Sequence, residues 1–216
     1  MQRKIHGQMS ESFLIAGILS ISGGLQDAYT YMYRGKVFAN AQTGNIVLLA
    51  QNLVDRNWQA VLRYFSPLLF FALGVAMAEC IRMKYQKAQK IHWRQLVLAI
   101  EILLLFAVGF LPNEIDLLAN AMVSFACAMQ VQAFRKVNGY AFASTMCIGN
   151  LRSGAEAFTA WLHNRETSEL RRAGTYLAIL LLFLLGAAAG SFCSQWLGIR
   201  AVWVCCLLLM PRLLLR

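Results

Sequence analysis

The stretch that decides the fold runs from Gly23 to Asn45 and reads GGLQDAYTYMYRGKVFANAQTGN. It overlaps the end of an apolar run that begins at Phe13, and it carries an acid, three alternating tyrosines and a polar ending. A carboxylate inside a membrane span is costly and usually faces a bundle interior or a wet cavity. The stretch therefore predicts a first span with a polar inner face, followed by a segment with a separate role.

Composition places the chain in a membrane. Of its 216 residues, 59% are hydrophobic and 14% are charged, whereas soluble domains are about 45–50% apolar and about 25% charged. The net charge of +10 does not indicate nucleic-acid binding, because the basic residues flank apolar runs, where they orient spans relative to the cytoplasm. We expect an integral membrane protein with the lipid bilayer as a partner and no nucleic acid.

Five apolar runs reach or approach the length of a transmembrane helix, for which about 17 residues is the practical minimum. A sixth is broken by Pro211 and Arg212. The predicted spans are residues 13–32, 64–81, 95–111, 117–134, 175–192 and 199–215.

Two amphiphilic segments, 38–54 and 142–162, are too short to span comfortably. With six spans and the N-terminus inside, 15 Lys and Arg residues lie on the cytoplasmic side and 5 on the other, and letting both short segments cross makes the counts nearly equal. The positive-inside rule favours six spans. The predicted fold is an all-α polytopic membrane protein, with both termini in the cytoplasm and two short re-entrant or interfacial segments.

The short segments resemble each other. Residues 40–45 (NAQTGN) align with residues 145–150 (TMCIGN) at an offset of 105, which pairs Asp27 with Gln132. Residues 71–74 align with 183–186 at an offset of 112. The seven-residue difference between the two offsets falls in the polar stretch 163–172, expected to be a loop. Each half then has three spans, so the pattern predicts two inverted repeats, residues 1–111 and 112–216, as in many secondary transporters. Inverted repeats also occur in channels.

Two acids are candidates for binding a solute, a cation or a proton. Asp27 shares a helix face with Gly23 and Tyr31, four residues apart on either side. Its alternative role is structural, near the membrane interface and satisfied by Arg34 or water. Glu101 lies midway along an aliphatic run, which indicates a proton relay or cation ligand, or equally a structural hydrogen bond to another span.

The Gly-Asn segments supply the other candidate binding residues. Glycine allows backbone turns barred to other residues, and a half-helix starting at Asn45 would aim partly positive amides into the protein. The alternative is an ordinary polar loop before an interfacial helix. The candidates are Gln42, Thr43, Gly44, Asn45, Gly149 and Asn150.

Several further residues are best explained by packing or local pairing. A GxxxG pattern at Gly186 and Gly190, and small residues around Gly23, Gly24 and Gly74, indicate close helix packing. Glu79 is expected to pair with Arg82. Arg152 either pairs with Glu156 or lines a cytoplasmic vestibule.

No enzyme or cofactor is predicted. The six cysteines show no CxxC spacing and the three histidines form no HExxH motif. We therefore expect no catalytic residue, no cofactor and no metal site.

The chain resembles the YoaK family, bacterial inner-membrane proteins that carry a domain of unknown function. The resemblance covers nearly the whole chain, and its most specific part is the arrangement Gly23, Gly24, Asp27, Ala28, Phe38, Thr43, Gly44 and Asn45. The second copy departs from it, with Ile148 in place of a threonine. The resemblance implies a multi-pass protein of the bacterial cytoplasmic membrane and brings no substrate or reaction.

The expected function is that of a small-solute secondary transporter or permease, coupled to a proton or a cation. Asp27 or Glu101 would carry the coupling ion, and Gln42, Thr43, Asn45 and Asn150 would contact the solute. A membrane scaffold that uses the GxxxG face and the basic loop 82–94 for partners or anionic lipids is the alternative, and a channel is the third. The solute, the coupling ion, the direction of transport and the oligomeric state, including a homo-oligomer, stay open.

Overall fold

The structure is a computed structural model that describes residues 12–86 and 92–214, and in them it contains eight α-helices and one short hairpin. The helices are α1 Phe13–Tyr33, α2 Gln42–Val54, α3 Trp58–Tyr85, α4 Trp93–Val108, α5 Asp116–Ala133, α6 Cys147–Asn164, α7 Thr167–Leu197 and α8 Trp203–Leu214. Short 3-10 turns at Asn113–Ile115 and Gly198–Val202 precede α5 and α8, and the hairpin strands are β1 Lys136–Val137 and β2 Tyr140–Ala141.

Side-chain caps mark where helices α1 and α3 begin. The Ser12 hydroxyl accepts a hydrogen bond from the Ile15 amide at 3.4 Å, and Asn57 Oδ1 accepts one from the Ala60 amide at 3.2 Å. Each satisfies a backbone donor that has no partner inside its helix. At the other end of α1, Gly35 adopts a left-handed φ of 81°, a conformation that glycine adopts without strain and that ends the helix.

Three helical runs among the described residues are long and apolar enough to cross a bilayer: Trp58–Tyr85, Asn113–Ala133 and Thr167–Pro211. Large apolar side chains such as Leu69, Leu73 and Leu184 are exposed on α3 and α7, where lipid would cover them. In the runs that contain α3 and α7, only 22% of the most apolar stretch is buried. In the run that contains α5, 61% of it is buried. The chain is therefore a membrane protein with α5 inside the bundle.

The helix boundaries differ from the predicted ones in identifiable places. The short segment in the first half becomes helical at Gln42 rather than at Asn45. The expected loop 163–172 is helical except at Arg165 and Glu166, because Arg165 turns the chain with a left-handed φ of 57° and Asn164 Oδ1 accepts a hydrogen bond from the Glu166 amide. The predicted span 95–111 ends as a helix at Val108.

The helices pair across the two halves of the chain. Helix α1 packs along α7 and α3 packs along α5, while the short helices α2 and α6 lie against α3 and α7. Helix α4 contacts both α5 and α8. A buried apolar cluster that includes Leu25, Leu105, Val123 and Leu209 joins α1, α4, α5 and α8. This arrangement encloses the inner faces of α1 and α5, where the polar residues lie.

Glycines allow the two long pairings. A Cβ atom on Gly24 or Gly186 would overlap the backbone of the opposite helix, at Phe183 and Ile21 respectively. A Cβ on Gly190 would lie 2.7 Å from the Leu25 carbonyl oxygen. Gly74 is in equally close contact with α5. These glycines lie at close helix–helix contacts, and Gly186 and Gly190 of the GxxxG pattern are buried inside the bundle.

Candidate functional site

Asp27 holds the start of α2 against α1. Its Oδ1 atom accepts a hydrogen bond from the Asn40 backbone amide at 2.7 Å, and the residue is 7% exposed. Helix α2 begins at Gln42 with Ala41 as its N-cap residue, which provides no side-chain cap. A carboxylate is favoured beside the partly positive N-terminus of a helix. Asp27 therefore anchors the residue before the N-cap of α2 to α1 and places a carboxylate near this helix start.

Arg34 is not the partner of Asp27, so one of the two partners considered for a structural Asp27 is not present. The buried Arg34 guanidinium forms an ion pair with Asp116 at 2.9 Å and donates to the Val108 and Leu111 carbonyl oxygens at 3.0 and 2.8 Å. Its Nε donates to the Tyr29 hydroxyl at 2.7 Å. Arg34 thus ties the end of α1 to the end of α4 and the start of α5.

Both short helices begin at the same point on α1. The Asn40 side chain donates to the Gly23 carbonyl oxygen at 3.3 Å. Thr145 packs so closely on Gly23 that a Cβ there would lie 2.5 Å from Thr145 Cγ2. Asn40 and Thr145 each lie two residues before the first residue of their helix. The two helix N-termini therefore approach Gly23 from separate halves of the chain.

The two Gly-Asn asparagines make the same hydrogen bond. The side-chain amide of Asn45 donates to the Phe38 carbonyl oxygen at 2.7 Å, and that of Asn150 donates to the Ala143 carbonyl oxygen at 2.8 Å. Each acceptor lies seven residues earlier, so each asparagine ties the preceding loop to the first turn of its helix. Their amides are directed at these loops.

Removing either tie should destabilise the protein by similar amounts. We expect Asn45→Ala and Asn150→Ala each to cost about 1 kcal/mol, because each removes a hydrogen bond to a half-buried backbone carbonyl. Thermal unfolding of the purified protein in detergent measures the effect. Gln51→Ala, at an exposed position in α2, is the matched control and should change the unfolding temperature little. Equal effects at all three positions would contradict this role.

The other residues of the Gly-Asn segments are not gathered with Asp27. Gln42 is half-buried and donates to the Ala39 carbonyl oxygen at 2.8 Å. Thr43 is exposed, as is Gly149, which has open space around it. Gly44 packs on the Phe38 ring, 3.3 Å from a Cβ built on it. These residues shape the start of each short helix.

Glu101 is fully buried and hydrogen-bonded to another span. Its Oε1 atom accepts a hydrogen bond from Gln26 Nε2 at 3.3 Å, and its Oε2 atom has no partner. Gln26 also donates to the Ser22 hydroxyl at 3.0 Å, and its Oε1 atom accepts from the Cys127 thiol. The structural hydrogen bond considered as an alternative for Glu101 is thus present. A buried carboxylate with no positive partner is costly when ionised, which suits a residue that exchanges a proton.

The two acids lie in adjoining parts of one buried polar region. Gln26 and Asp27 are consecutive on α1 and so point in different directions, Gln26 towards Glu101 and Asp27 towards the start of α2. We name Gly23, Gln26, Asp27, Asn40, Glu101 and Thr145 the central polar cluster. Besides Glu101 Oε2, the buried Asn40 Oδ1 and Thr145 Oγ1 atoms have no hydrogen-bond partner within the described chain. Asn45 and Asn150 flank this cluster without entering it.

Sequence reasoning did not select four of the residues that matter here: Gln26, Asn40, Thr145 and Arg34. The 105-residue offset contained a signal for Asn40 and Thr145, since it pairs them directly. Gln26 is a second polar residue beside Asp27 in an otherwise small and apolar stretch. Arg34 carries little local signal, because all its side-chain partners except Tyr29 lie more than 70 residues away.

Each of the two candidate ion pairs forms within a single helix. Glu79 accepts from Arg82 Nε at 2.9 Å, as predicted, and also from Gln132 Nε2 at 2.8 Å. Arg152 Nε lies 2.9 Å from Glu156 Oε1, with side chains 80% and 53% exposed. An exposed pair of this kind contributes little to stability.

Comparison with known proteins identifies a family and a curated relative. The family described as "Protein of unknown function (DUF1275)" matches residues 15–215. The UPF0700 transmembrane protein YoaK of Bacillus subtilis (strain 168) is 26% identical over 185 residues, which cover 80% of each chain. No solved structure matches.

Proposed function

This chain belongs to the DUF1275 family of proteins of unknown function, and on that premise we propose that it is a small-solute secondary transporter whose substrate site is the central polar cluster. The observation that carries the proposal is the meeting of two short-helix N-termini at Gly23, beside a buried acid. Half-helices that begin near the bilayer midplane and point at the solute are a recurring device of secondary transporters. The unpartnered Asn40 and Thr145 oxygens would contact the solute.

The proposed architecture is two inverted repeats, residues 1–111 and 112–216, with three spans each. The helix contacts support it. The first helix of each half packs on the third helix of the other half, α1 on α7 and α5 on α3. The matching hydrogen bonds of Asn45 and Asn150 support it as well. In this arrangement α2 and α6 are re-entrant helices in a bacterial inner-membrane protein, and both termini lie in the cytoplasm.

The proposed coupling ion is a proton carried by Glu101, with Asp27 as the residue that senses the solute. Glu101 has a free carboxylate oxygen and only a neutral amide as its partner. Asp27, Asn40 and Thr145 are each 7% exposed, so the cluster is closed to both sides in this conformation. Transport then requires the contacts of α1 with α7 and of α3 with α5 to loosen in turn.

The test is solute-driven proton movement in proteoliposomes that contain a pH-sensitive dye, across a panel of amino acids, organic acids, sugars and amines. We expect Glu101→Gln to abolish proton-coupled uptake but to retain solute exchange at equal concentrations on both sides. Asp27→Asn should lower both activities at least about tenfold, a loss of about 1.4 kcal/mol of transition-state stabilisation. Glu156→Gln, in an exposed pair, is the control and should behave as the wild type.

Three results would contradict the proposal. One is an absence of uptake or exchange for the whole panel with protein that is folded by size-exclusion chromatography. Another is full activity of Asp27→Asn. The third is a single-channel conductance without any coupling, which would indicate a channel instead.

A further inference from the structure

The side-chain amide of Gln26 is held in one orientation by three partners. Its Nε2 atom donates to the Ser22 hydroxyl at 3.0 Å and to Glu101 Oε1 at 3.3 Å. Its Oε1 atom accepts a hydrogen bond from the Cys127 thiol of α5. A side-chain amide has a donor end and an acceptor end, and both ends of this fully buried amide are in use. The donor end therefore faces Glu101 and the acceptor end faces Cys127.

This orientation of the amide fits only the ionised form of Glu101. An ionised carboxylate only accepts hydrogen bonds, whereas a protonated carboxyl group also carries an O–H donor. A proton on Oε2 would have no acceptor, because this buried atom has no hydrogen-bond partner among the described residues. A proton on Oε1 would point at Gln26 Nε2, which is itself a donor. Since a buried donor without an acceptor is costly, a protonated Glu101 requires the other end of the amide.

No positive side chain offsets the charge of Glu101. None of the ion pairs within residues 12–86 and 92–214 includes it. The titratable groups that interact with it are thiols, Cys127 on α5 and Cys205 and Cys206 on α8, while Asp27 lies on α1. Helix α4 also contacts α3, and no described ionisable side chain of α3 is hydrogen-bonded to Glu101. The neutral amide is therefore the group that must adapt to the charge of this acid.

Asn40 offers the Cys127 thiol a second acceptor. The Asn40 side chain lies within hydrogen-bonding range of the Cys127 sulfur. Its Nδ2 atom donates to the Gly23 carbonyl oxygen at 3.3 Å, and its Oδ1 atom is buried without a partner. A thiol has a single weak donor, so it can bind the oxygen of Gln26 or that of Asn40 but not both. Cys127 thus lies between an acceptor that is in use and one that has no donor.

We propose that Gln26 is a positioning residue whose side-chain amide reverses when Glu101 takes up a proton. This inference rests on the proposed transport function, because it describes how the coupling proton alters the solute contacts. In the reversed orientation Gln26 Oε1 accepts from the Glu101 O–H group, and Nε2 faces Cys127. The thiol then donates to Asn40 Oδ1 instead. The charge of Glu101 and the contacts of Asn40, just before α2, change together.

Infrared difference spectroscopy of the full chain in lipid nanodiscs tests the reversal. Spectra are recorded from alkaline to acidic pH without any solute. The carboxylic C=O stretch that is lost in Glu101→Gln reports protonation of this acid. The S–H stretch that is lost in Cys127→Ser reports the thiol, and its frequency depends on the acceptor. We expect the S–H band to shift over the pH interval in which the Glu101 band appears, and to be independent of pH in Glu101→Gln.

Two substitutions separate a reversal of the amide from mere proximity. Gln26→Met has neither a donor nor a strong acceptor, so the Cys127 band should lose its pH dependence although Glu101 still takes up a proton. Gln26→Leu repeats this measurement if Gln26→Met does not fold. Asn40→Ala should leave the Cys127 band unchanged while Glu101 is ionised, and should move it to the frequency of a free thiol once Glu101 is protonated.

Gln132→Met is the matched control. Gln132 also donates to a carboxylate on another helix, Glu79 at 2.8 Å, but lies outside the central polar cluster. Its spectra should show the same pH-dependent shift as those of the wild type.

The proposal is overturned if the Cys127 band keeps its frequency while the Glu101 band appears, or if the shift persists in Gln26→Met. It is also overturned if no Glu101 band appears at any pH. The spectra require no solute. An absence of uptake would therefore contradict the transport proposal alone, and an unresponsive Cys127 band would contradict the reversal alone.

Discussion

Arg34→Met is expected to destabilise the folded protein by about 3–5 kcal/mol, the range observed when one partner of a buried ion pair is removed. The guanidinium is fully buried and binds Asp116, the Tyr29 hydroxyl and the carbonyl groups at the end of α4. Methionine fills much of the volume but donates to none of them, so several acceptors lose their donors together. Thermal or denaturant unfolding in detergent, followed by tryptophan fluorescence, measures the loss.

Arg152→Met is the matched control, because Arg152 is also paired but 80% exposed. It should change stability by less than about 1 kcal/mol. Asp116→Asn combined with Arg34→Met completes a double-mutant cycle, and the interaction energy should account for only part of the loss, since the carbonyl acceptors are unaffected by the second change. Equal stability of Arg34→Met and Arg152→Met would show that the end of α4 does not depend on this guanidinium.

Gly186→Ala should lower the stability of the protein and Gly174→Ala should raise it, although both residues lie in α7. A Cβ at position 186 would overlap the Ile21 backbone of α1, whereas one at position 174 would meet nothing within 4 Å. Overpacking costs about 1–3 kcal/mol and occasionally more. Replacing an unconstrained helical glycine with alanine gains about 0.5–1 kcal/mol.

The thermal midpoint of each variant, measured by fluorescence-detected size-exclusion chromatography after heating, tests the pair. Destabilisation of both variants to the same extent would point to a general intolerance of alanine in α7. A stable Gly186→Ala protein would mean that α1 and α7 can move apart without loss, which their close packing excludes.

The helical segments and the correspondence of the short ones could be predicted from the sequence because they depend on local patterns. Apolar runs of span length became α1, α3, α5 and α7 with shifted ends. The 105-residue offset that aligns Asn45 with Asn150 also aligns the residues whose carbonyl oxygens accept their hydrogen bonds, Phe38 and Ala143. A helix start is less predictable, since α2 begins without a side-chain cap and the segment before it is held by Asp27 from another helix.

The polar contacts inside the bundle could be predicted only in part. The sequence indicated that Glu101 is a deeply placed acid, and its burial could be predicted without knowing which residue it contacts. That the partner is Gln26 follows from the packing of α1 beside α4, which involves residues 75 positions apart. Arg34 was considered as one partner for Asp27 but pairs with Asp116, for the same reason. It is near Asp27 in the chain, while the orientation of α1 directs it to Asp116.

The shared contact at Gly23 makes the two short helices thermodynamically interdependent without a direct bond between them. Asn40 is hydrogen-bonded to the carbonyl of this residue and Thr145 packs against its α-carbon. If a displacement of the segment before α2 shifts α1, it also alters the surface on which the segment before α6 packs, and the reverse holds as well. Such coupling is reciprocal, so the free energy by which a shift at Asn40 changes the Thr145 contact equals that by which a shift at Thr145 changes the Asn40 contact. A single backbone position on α1 thus contacts the segments that lead into both short helices.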